Sequence, residues 1–414
     1  MISWRFLLIV IPVAILLDFY IFQGIKAVSQ GASDRTRVVI YGAYWGLSIL
    51  VILALLSFMF INFHQWPRLR NYIFTLIMGL FIAKLLAAVF LLVDDVRRLI
   101  QWVSGKLFFR GTEGESINEN AISRSAFLSW IGLGVGGALY SSLIYGFSNK
   151  YSYEIRRVQL SFDNLPPAFK GLKIIQLSDI HSGSFSNKKA VSRGVDMVLA
   201  ENADLILFTG DLVNDLATEM KDYKDVFSRL KAPMGVFSTL GNHDYGDYAW
   251  WETQEAKRAN LEHLKQIQAD MGWRLLMNEH VVLEKEGQQI ALIGIENWSA
   301  KARFPKYGKM QEAYAGAEKY PFKILMSHDP SHWDAQVRPD YPDIDLALAG
   351  HTHGMQFGIE VPGLKWSPVQ YVYTQWAGLY EEGRQKLYVN RGYGFIGYPG
   401  RIGILPEITV IELV

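Results

Sequence analysis

The 414-residue sequence contains no cysteine. This absence excludes disulfide bonds, zinc sites built from thiolates and cysteine nucleophiles. The chain also lacks an excess of charge, because 41 basic and 40 acidic residues leave a formal net charge of +1. A near-neutral balance gives no electrostatic support for nucleic-acid binding. We therefore expect no nucleic acid among the partners of this protein.

The two parts of the chain lack different features. Residues 1–150 contain long runs without charge, whereas residues 151–414 mix charged and apolar residues as globular domains do. A helix of about 20 apolar residues can cross a bilayer. Four runs of roughly that length predict transmembrane helices, at Phe6–Phe22, Val38–Phe63, Tyr72–Val93 and Ala126–Phe147. The sequence thus predicts a four-helix transmembrane region over 1–150 and a globular domain over 151–414.

Basic residues flank the predicted spans unequally. Eight lysine and arginine residues lie near the spans on one side, and six lie on the side that holds the globular domain. Because basic loops tend to stay in the cytoplasm, this imbalance favours the eight-residue side as cytoplasmic. We therefore expect the globular domain on the periplasmic or extracellular side of a membrane.

Two ionisable residues fall inside predicted spans. Asp18 lies in the first span and Lys84 in the third, each a little over halfway along a segment running in the same direction. Charged groups inside membranes usually have partners, so we expect these two to pair. The pair is compatible with a structural role or with a proton or ion path.

The globular part alternates short apolar runs with segments of helical spacing. This alternation predicts an α/β fold in which helices cover β-sheets. The predicted helices are Lys188–Ala200, Lys221–Leu230 and Thr253–Met271. The predicted strands are Lys173–Leu177, Asp204–Phe208, Met234–Leu240, Val281–Glu284, Ile290–Ile295, Lys323–Met326, Leu346–Ala349, Gln385–Asn390 and Glu407–Leu413.

Five short blocks in this part combine metal-binding residue types with turn residues. They contain five of the nine histidines and read Asp179-Ile180-His181, Gly210-Asp211-Leu212-Val213-Asn214, Gly241-Asn242-His243-Asp244, Ser327-His328 and Gly350-His351-Thr352-His353. Most follow a predicted strand directly, which is where open α/β sheets carry their ligand sites. Carboxylate, amide and imidazole donors in this number predict a two-metal site, and such sites commonly hydrolyse phosphoesters.

The order and spacing of these blocks resemble the calcineurin-like metallophosphoesterase superfamily, and in particular its membrane-associated YkuE/YaeI-like branch. The resemblance covers about 153–414 and rests on Leu177-Ser178-Asp179-Ile180-His181, Gly350-His351-Thr352-His353-Gly354 and the stretch Tyr388–Glu407. It implies a metallophosphoesterase-type β-sandwich flanked by helices and preceded here by the four-helix transmembrane region. A bacterial inner membrane is the location that it implies.

The resemblance also implies two divalent metal ions and assigns protein ligands to each of them. The first ion would be held by Asp179, His181 and His353, the second by Asn242, His328 and His351, and both by Asp211. Oxygen donors with neutral imidazoles suit Mn²⁺, Fe or Zn²⁺. A hydroxide bridging the two ions would attack phosphorus.

In the same family, the residue at His243 acts as general acid toward the leaving group, a task suited to imidazole. Family members often orient this histidine with an aspartate at the position of Asn214. Because asparagine carries no charge, either Asp215 or Asp244 replaces that partner, or the imidazole is less basic in this chain.

An aromatic stretch follows the last metal-binding block. Its larger residues are Phe357, Trp366, Tyr371, Tyr373, Trp376 and Tyr380. They are compatible with a lipid-facing lip beside the site, and equally with packing inside the C-terminal sheet.

The leading hypothesis is therefore a membrane-anchored phosphoesterase acting on a phosphodiester, phosphomonoester or pyrophosphate bond. Its expected partners are a phosphorylated or lipid-linked substrate and membrane lipids, and the sequence indicates no protein partner. The alternative is a membrane sensor or transport component that uses this fold as a binding module. All seven ligand positions are filled, which favours the enzyme.

Overall fold

The apolar runs of the N-terminal region form four long α-helices in the computed structural model, which describes residues 4–61, 63, 66–108 and 124–414. Their bounds are Trp4–Val28 (α1), Asp34–Phe60 (α2), Pro67–Phe108 (α3) and Arg124–Asn149 (α4). Each contains a stretch long and apolar enough to cross a membrane. The helices mostly extend beyond the predicted spans because polar residues continue them past the apolar segment. Asn62, within the second predicted span, lies outside the described residues.

Within this region, the prediction that Asp18 and Lys84 pair is confirmed. The Lys84 ammonium donates to the Asp18 carboxylate, and the Tyr44 hydroxyl donates to the same oxygen at 3.0 Å. Asp18 is buried. The apolar surroundings strengthen this ion pair, which joins α1 to α3.

The chain divides into two units, Met1–Tyr145 and Gly146–Val414. The second unit starts a few residues before the predicted boundary at 150/151, because the last turn of α4 folds with it. Within this unit, the Arg401 amide donates to the Gly146 carbonyl at 2.9 Å, and the Asn149 side chain donates to the Arg401 carbonyl at 3.3 Å.

The second unit contains the remaining helices and the strands. The helices are Lys188–Ala200 (α5), Lys224–Phe227 (α6), Gln254–Asp270 (α7), Met310–Tyr314 (α8) and Arg338–Asp340 (α9). The strands are Glu154–Leu160 (β1), Lys173–Leu177 (β2), Leu205–Phe208 (β3), Val236–Ser238 (β4), Arg274–Leu275 (β5), Glu279–Lys285 (β6), Gln288–Gly294 (β7), Lys323–Met326 (β8), Leu346–Ala349 (β9), Ile359–Val361 (β10), Leu364–Trp366 (β11), Gly378–Glu382 (β12), Gln385–Val389 (β13) and Glu407–Leu413 (β14).

Two six-stranded sheets form a sandwich. Their strand orders are β1-β14-β2-β3-β4-β5 and β12-β13-β9-β8-β7-β6, and β10 pairs with β11 in a separate hairpin. The interior between the sheets is apolar, with Ile174, Leu207 and Ile324 among its buried residues. Helices α5 and α7 contribute to a second core over the first sheet. This is the α/β sandwich flanked by helices that the sequence predicts.

Parallel strands in both sheets end at the same edge of the sandwich. Strands β2, β3 and β4 pair in parallel, and so do β7, β8 and β9. The metal-binding blocks follow β2, β3, β4, β8 and β9, so the topology brings the five blocks together.

Two predicted elements differ from the structure. The predicted helix Lys221–Leu230 is a 3₁₀ turn at Ala217–Asp222 followed by the short α6. The apolar residues of this segment lie in consecutive short turns, and all of these turns face the core. Packing against the core therefore determines the local structure, although the spacing of the residues is that of a helix. The predicted strand Met234–Leu240 is paired only over Val236–Ser238, because Gly235 has a φ of +104° that a strand does not accept.

Candidate metal centre

The loops that carry the predicted ligands have an unusual backbone. Asp179, His181, Asp211, His351 and His353 all have φ between +49° and +71°. This left-handed region costs a residue with a side chain about 1 kcal/mol or more. Five strained residues in one cluster are maintained only if the surrounding contacts hold them there, which is typical of functional sites.

Close approach of the loops explains the glycines in the blocks. A Cβ atom at Gly350 would collide with the Ser178 hydroxyl and the Asp179 carboxylate. A Cβ atom at Gly241 would likewise collide with the Asp211 carboxylate. Glycine at these two positions therefore lets one loop lie directly against the ligands of another.

Asp179, His181 and His353 form the first cluster of possible ligands. His353 Nε2 lies 3.3 Å from Asp179 Oδ1, and His181 Nε2 lies 3.9 Å from the same oxygen. All three residues are buried. The two ring nitrogens of His181 and Nε2 of His353 have no hydrogen-bond partner among the described residues. Buried nitrogens without a partner are costly, and a metal ion would satisfy Nε2 of His181 and Nε2 of His353.

Asp211, His328 and His351 form the second cluster. His328 Nε2 lies 3.1 Å from Asp211 Oδ2, and His351 Nδ1 lies 2.8 Å from the amide oxygen of Asn242. Asp211 Oδ2 is also 3.5 Å from His181 Nε2. Asp211 thus contacts residues of both clusters, as a bridging ligand must.

The pKa values of the ligand histidines are shifted in different directions. Burial lowers the pKa of His181 to about 3, so its imidazole is neutral and able to bind a metal. Burial also lowers the pKa of His351, to about 4. Burial acts in the same sense on His328, but the neighbouring Asp211 carboxylate raises the pKa of His328 to about 10. A metal ion at the second cluster must therefore displace the proton that Asp211 stabilises there.

Three side chains to which the sequence assigned no role at the metal site, Tyr373, Asp329 and Arg401, support the predicted ligands. The Tyr373 hydroxyl lies 2.9 Å from His351 Nε2 and donates to Asp329 at 3.2 Å. An Arg401 nitrogen lies 3.2 Å from His353 Nδ1. Asp329 directly follows a ligand block, which is a usable sequence signal. The other two lie well outside the blocks, and no local pattern marks them.

We expect Tyr373→Phe to weaken metal binding about tenfold, because groups that orient a ligating histidine contribute on that scale. The change removes one hydroxyl that contacts His351 and Asp329. Metal titration of the stripped protein measures the effect. Tyr371→Phe is the matched control, since Tyr371 is highly exposed. Equal affinities in the two variants would exclude a supporting role for Tyr373.

Asp244 has a structural role rather than contact with His243. Its carboxylate accepts four backbone N–H bonds, from Asp211 at 2.9 Å, Leu212 at 2.8 Å, Val213 at 3.3 Å and Gly241 at 2.9 Å. These amides belong to the loops after β3 and β4. Asp244 therefore joins two ligand loops through their main chains, which corrects its expected place beside His243.

His243 is oriented by a main-chain group. Its Nδ1 lies 2.7 Å from the Asn214 carbonyl oxygen, and its own amide donates to Asp211 Oδ1 at 2.9 Å. The Asn214 side chain instead contacts Ser184 at 3.2 Å. Among the described contacts of His243, neither Asp215 nor Asp244 provides a hydrogen bond, so the Asn214 carbonyl, and not one of these carboxylates, orients the ring. A carbonyl requires a proton on Nδ1, which leaves Nε2 for a substrate.

A cavity of about 340 Å³ opens over both clusters. His181, Asp211, Asn242 and His243 line it together with groups of other character. Arg303 adds a positive charge to its wall, and Met355 and Val372 add apolar surface. The cavity thus combines metal-binding groups, a cation that can bind a phosphate and an apolar edge.

Similarity to known proteins agrees with these observations. Residues 4–150 match the family described as probable calcineurin-like phosphoesterase, transmembrane domain, and residues 172–355 match calcineurin-like phosphoesterase. The chain is 30% identical to phosphodiesterase YaeI of Escherichia coli, over 63% of this chain and 88% of that protein. It is 29% identical to the uncharacterized metallophosphoesterase YkuE of Bacillus subtilis, over 70% and 98%.

A zebrafish protein, described as a transmembrane protein with metallophosphoesterase domain, is 29% identical over 75% of this chain and 67% of its own length. These similarities cover both parts of the chain, the apolar helices and the sandwich that carries the two clusters. The chain belongs to the calcineurin-like phosphoesterases, a family of metal-dependent phosphoric ester hydrolases, and it is a membrane protein.

Proposed function

We propose that this protein hydrolyses a phosphoester or pyrophosphate bond with two divalent ions, Mn²⁺, Fe or Zn²⁺, held side by side. The main support is the position of Asp211, whose Oδ2 lies 3.1 Å from His328 and 3.5 Å from His181. One carboxylate between two histidine clusters suits a bridging ligand, because its charge offsets the repulsion between two cations.

The residues divide between the ions as the resemblance implies. Asp179, His181 and His353 would hold one ion, Asn242, His328 and His351 would hold the other, and Asp211 would be shared between them. Divalent ions at these positions supply Lewis acidity, which acidifies water and polarises phosphoryl oxygens.

The chain's own groups then have separate tasks. Asp211 Oδ1 accepts a hydrogen bond from the His243 amide. This bond holds the loop after β4 against Asp211. In its doubly protonated form, His243 keeps its Nδ1 proton on the Asn214 carbonyl and donates its Nε2 proton to the leaving oxygen as the bond from that oxygen to phosphorus breaks. Arg303, on the cavity wall, balances the negative charge of the phosphoryl group.

A lipid or lipid-linked phosphoester is the proposed substrate class. Four apolar helices belong to the same chain, and only four residues separate α4 from β1. So short a connection favours substrates that lie at a membrane surface. The imbalance of eight basic residues against six supports placing the catalytic domain on the periplasmic or extracellular side, and the bacterial inner membrane is the location that the resemblance implies.

The test uses the full-length chain purified in detergent, stripped of metal and reloaded with Mn²⁺, Mg²⁺, Zn²⁺ or Fe²⁺. Bis-p-nitrophenyl phosphate and p-nitrophenyl phosphate are assayed side by side. We expect turnover only after reloading, and the preferred compound separates diesterase from monoesterase activity. Absence of turnover with either compound, although metal is bound, would contradict the proposal for these phosphoesters.

A further inference from the structure

The β10–β11 hairpin turns its charged face toward the protein and its apolar face toward solvent. In its antiparallel register Glu360 pairs with Lys365, whereas Ile359 pairs with Trp366 and Val361 with Leu364. Alternate residues of a strand point to opposite faces. The charged pair therefore shares one face, and the four apolar residues share the other.

The charged face is attached to the protein. Glu360 receives two bonds from the buried Arg391, at 2.6 and 3.1 Å, and two from Arg156, at 3.0 and 3.2 Å. The Lys365 ammonium donates to the Ala377 carbonyl. Two guanidinium groups bind one carboxylate and so restrict rotation of the hairpin. Because the charged face is bound in this way, the apolar face points outward.

The outward face is exposed to a degree that is unusual for large aliphatic residues. Ile359, Val361 and Leu364 are 46%, 54% and 51% exposed. Exposed aliphatic side chains lower the solubility of a protein and do not contribute to its core. An exposed apolar surface of this kind is typical of a binding site.

This surface continues to the catalytic cavity. The Trp366 indole, on the same face, donates to the Tyr371 hydroxyl at 3.4 Å, and Tyr371 is 77% exposed. The next residue, Val372, and also Met355, line the cavity and are more than half exposed. We call Met355, Ile359, Val361, Leu364, Tyr371 and Val372 the apolar lip. Tyr373 and Trp376 of the predicted aromatic stretch are not part of it, because they are buried in a cluster with Val369, Ala377 and Ile404.

Basic residues flank the same cavity. Arg303 lines it and is exposed, and the Lys301 ammonium lies 5.2 Å from the centroid of the Tyr373 ring, which also lines it. An apolar surface bordered by positive charge is complementary to a bilayer, whose hydrocarbon lies beneath phosphate head groups. A protein partner would not need this combination of aliphatic side chains and phosphate-binding cations.

Within the second unit, the Tyr398–Arg401 loop contacts both the segment 146–149 and the residue next to Met355. The final turn of α4 contacts the Tyr398–Arg401 loop, since the Arg401 amide donates to the Gly146 carbonyl. The side-chain amide of Gln356, adjacent to Met355, donates to the Tyr398 and Gly400 carbonyls of that loop.

We propose that the apolar lip inserts into a lipid bilayer and brings the cavity mouth to the level of the phosphate head groups. A lipid phosphoester then reaches the metal centre without leaving the membrane. This proposal deepens the proposed function and rests on it for the identity of the reaction, but insertion itself is measurable independently.

The absence of cysteine makes a site-specific test direct. Leu364→Cys carries the environment-sensitive dye NBD on the lip, and Val282→Cys carries it on an exposed position of β6 as matched control. Both full-length proteins are placed in nanodiscs of phosphatidylethanolamine and phosphatidylglycerol. We expect NBD at 364 to emit at shorter wavelength than at 282, and to lose most of its emission when lipids carry a doxyl quencher in the acyl chain.

Two results would overturn the proposal. In the first, the dye at 364 behaves like the dye at 282 in every nanodisc. In the second, its emission shifts but doxyl lipids do not quench it, which would assign the surface to a second copy or another protein. Bis-p-nitrophenyl phosphate turnover by the same labelled proteins separates the two proposals. Turnover by the protein labelled at 282 without quenching at 364 contradicts the lip alone, and quenching at 364 without turnover by the protein labelled at 282 contradicts the proposed hydrolysis of this phosphodiester alone.

Discussion

Asp211→Asn is expected to reduce metal-dependent hydrolysis about 10³-fold or more, because it removes the one charge shared by both clusters. Its carboxylate lies beside His181 and His328, and it accepts the His243 amide at 2.9 Å. An asparagine can keep the contact to the amide. It cannot offset the repulsion of two cations, so the loss falls on metal binding and turnover together.

Turnover of bis-p-nitrophenyl phosphate and metal content by mass spectrometry measure this effect on the same sample. The exposed Asp163→Asn is the matched control, since it makes the same chemical change away from the site. The thermal midpoint of the metal-stripped protein checks that Asp211→Asn remains folded. Retained turnover with two bound ions would contradict a bridging role for Asp211.

Asp244→Ala is expected to lower the free energy of unfolding by about 3–5 kcal/mol, because four backbone N–H groups lose their acceptor. The residue is fully buried, and its carboxylate oxygens accept hydrogen bonds from both of the loops that follow β3 and β4. Each unsatisfied buried donor costs about 1–3 kcal/mol before local relaxation. Asp244→Asn should fall between the two proteins, since its amide nitrogen can no longer accept from two of the four donors.

Thermal unfolding of the full-length protein, followed by tryptophan fluorescence, gives the midpoint for each variant. We expect Asp244→Ala to lower it by about 10 °C, with Asp163→Ala unchanged. Metal affinity should fall in parallel because the ligand loops lose their common attachment. A stable Asp244→Ala protein that lacks activity would instead assign Asp244 a direct chemical role.

The ligand blocks were predictable because each is a local event. An apolar run followed by a small residue, glycine or serine, and then a metal-binding residue identifies both a buried strand and the loop after it. Five such blocks, such as Gly350-His351-Thr352-His353 after β9, therefore reveal the donor set without knowledge of the fold. The four spans were predictable for a similar reason, since a long apolar run has few alternatives to a membrane helix.

The supporting contacts were not predictable, because they join residues distant in the chain. Tyr373 reaches His351 across 22 residues, and Arg401 reaches His353 across 48. His243 is a further case, because its partner is the carbonyl of Asn214, and a main-chain acceptor leaves no trace in residue identity. Asp244 was placed incorrectly since a carboxylate that binds four amides looks the same in sequence as one that binds a histidine.

By itself, the sequence determined which donors exist, that they follow strands, and that apolar helices precede them. Local pattern suffices for these features because each depends on a few adjacent residues. Only the tertiary structure decided that Asp211 stands between the clusters, that Asp244 ties their loops together, and that the β10–β11 hairpin turns its apolar face outward. Those features depend on pairing between distant strands and on the ion pairs of Glu360, whose partners Arg156 and Arg391 lie 204 and 31 residues away.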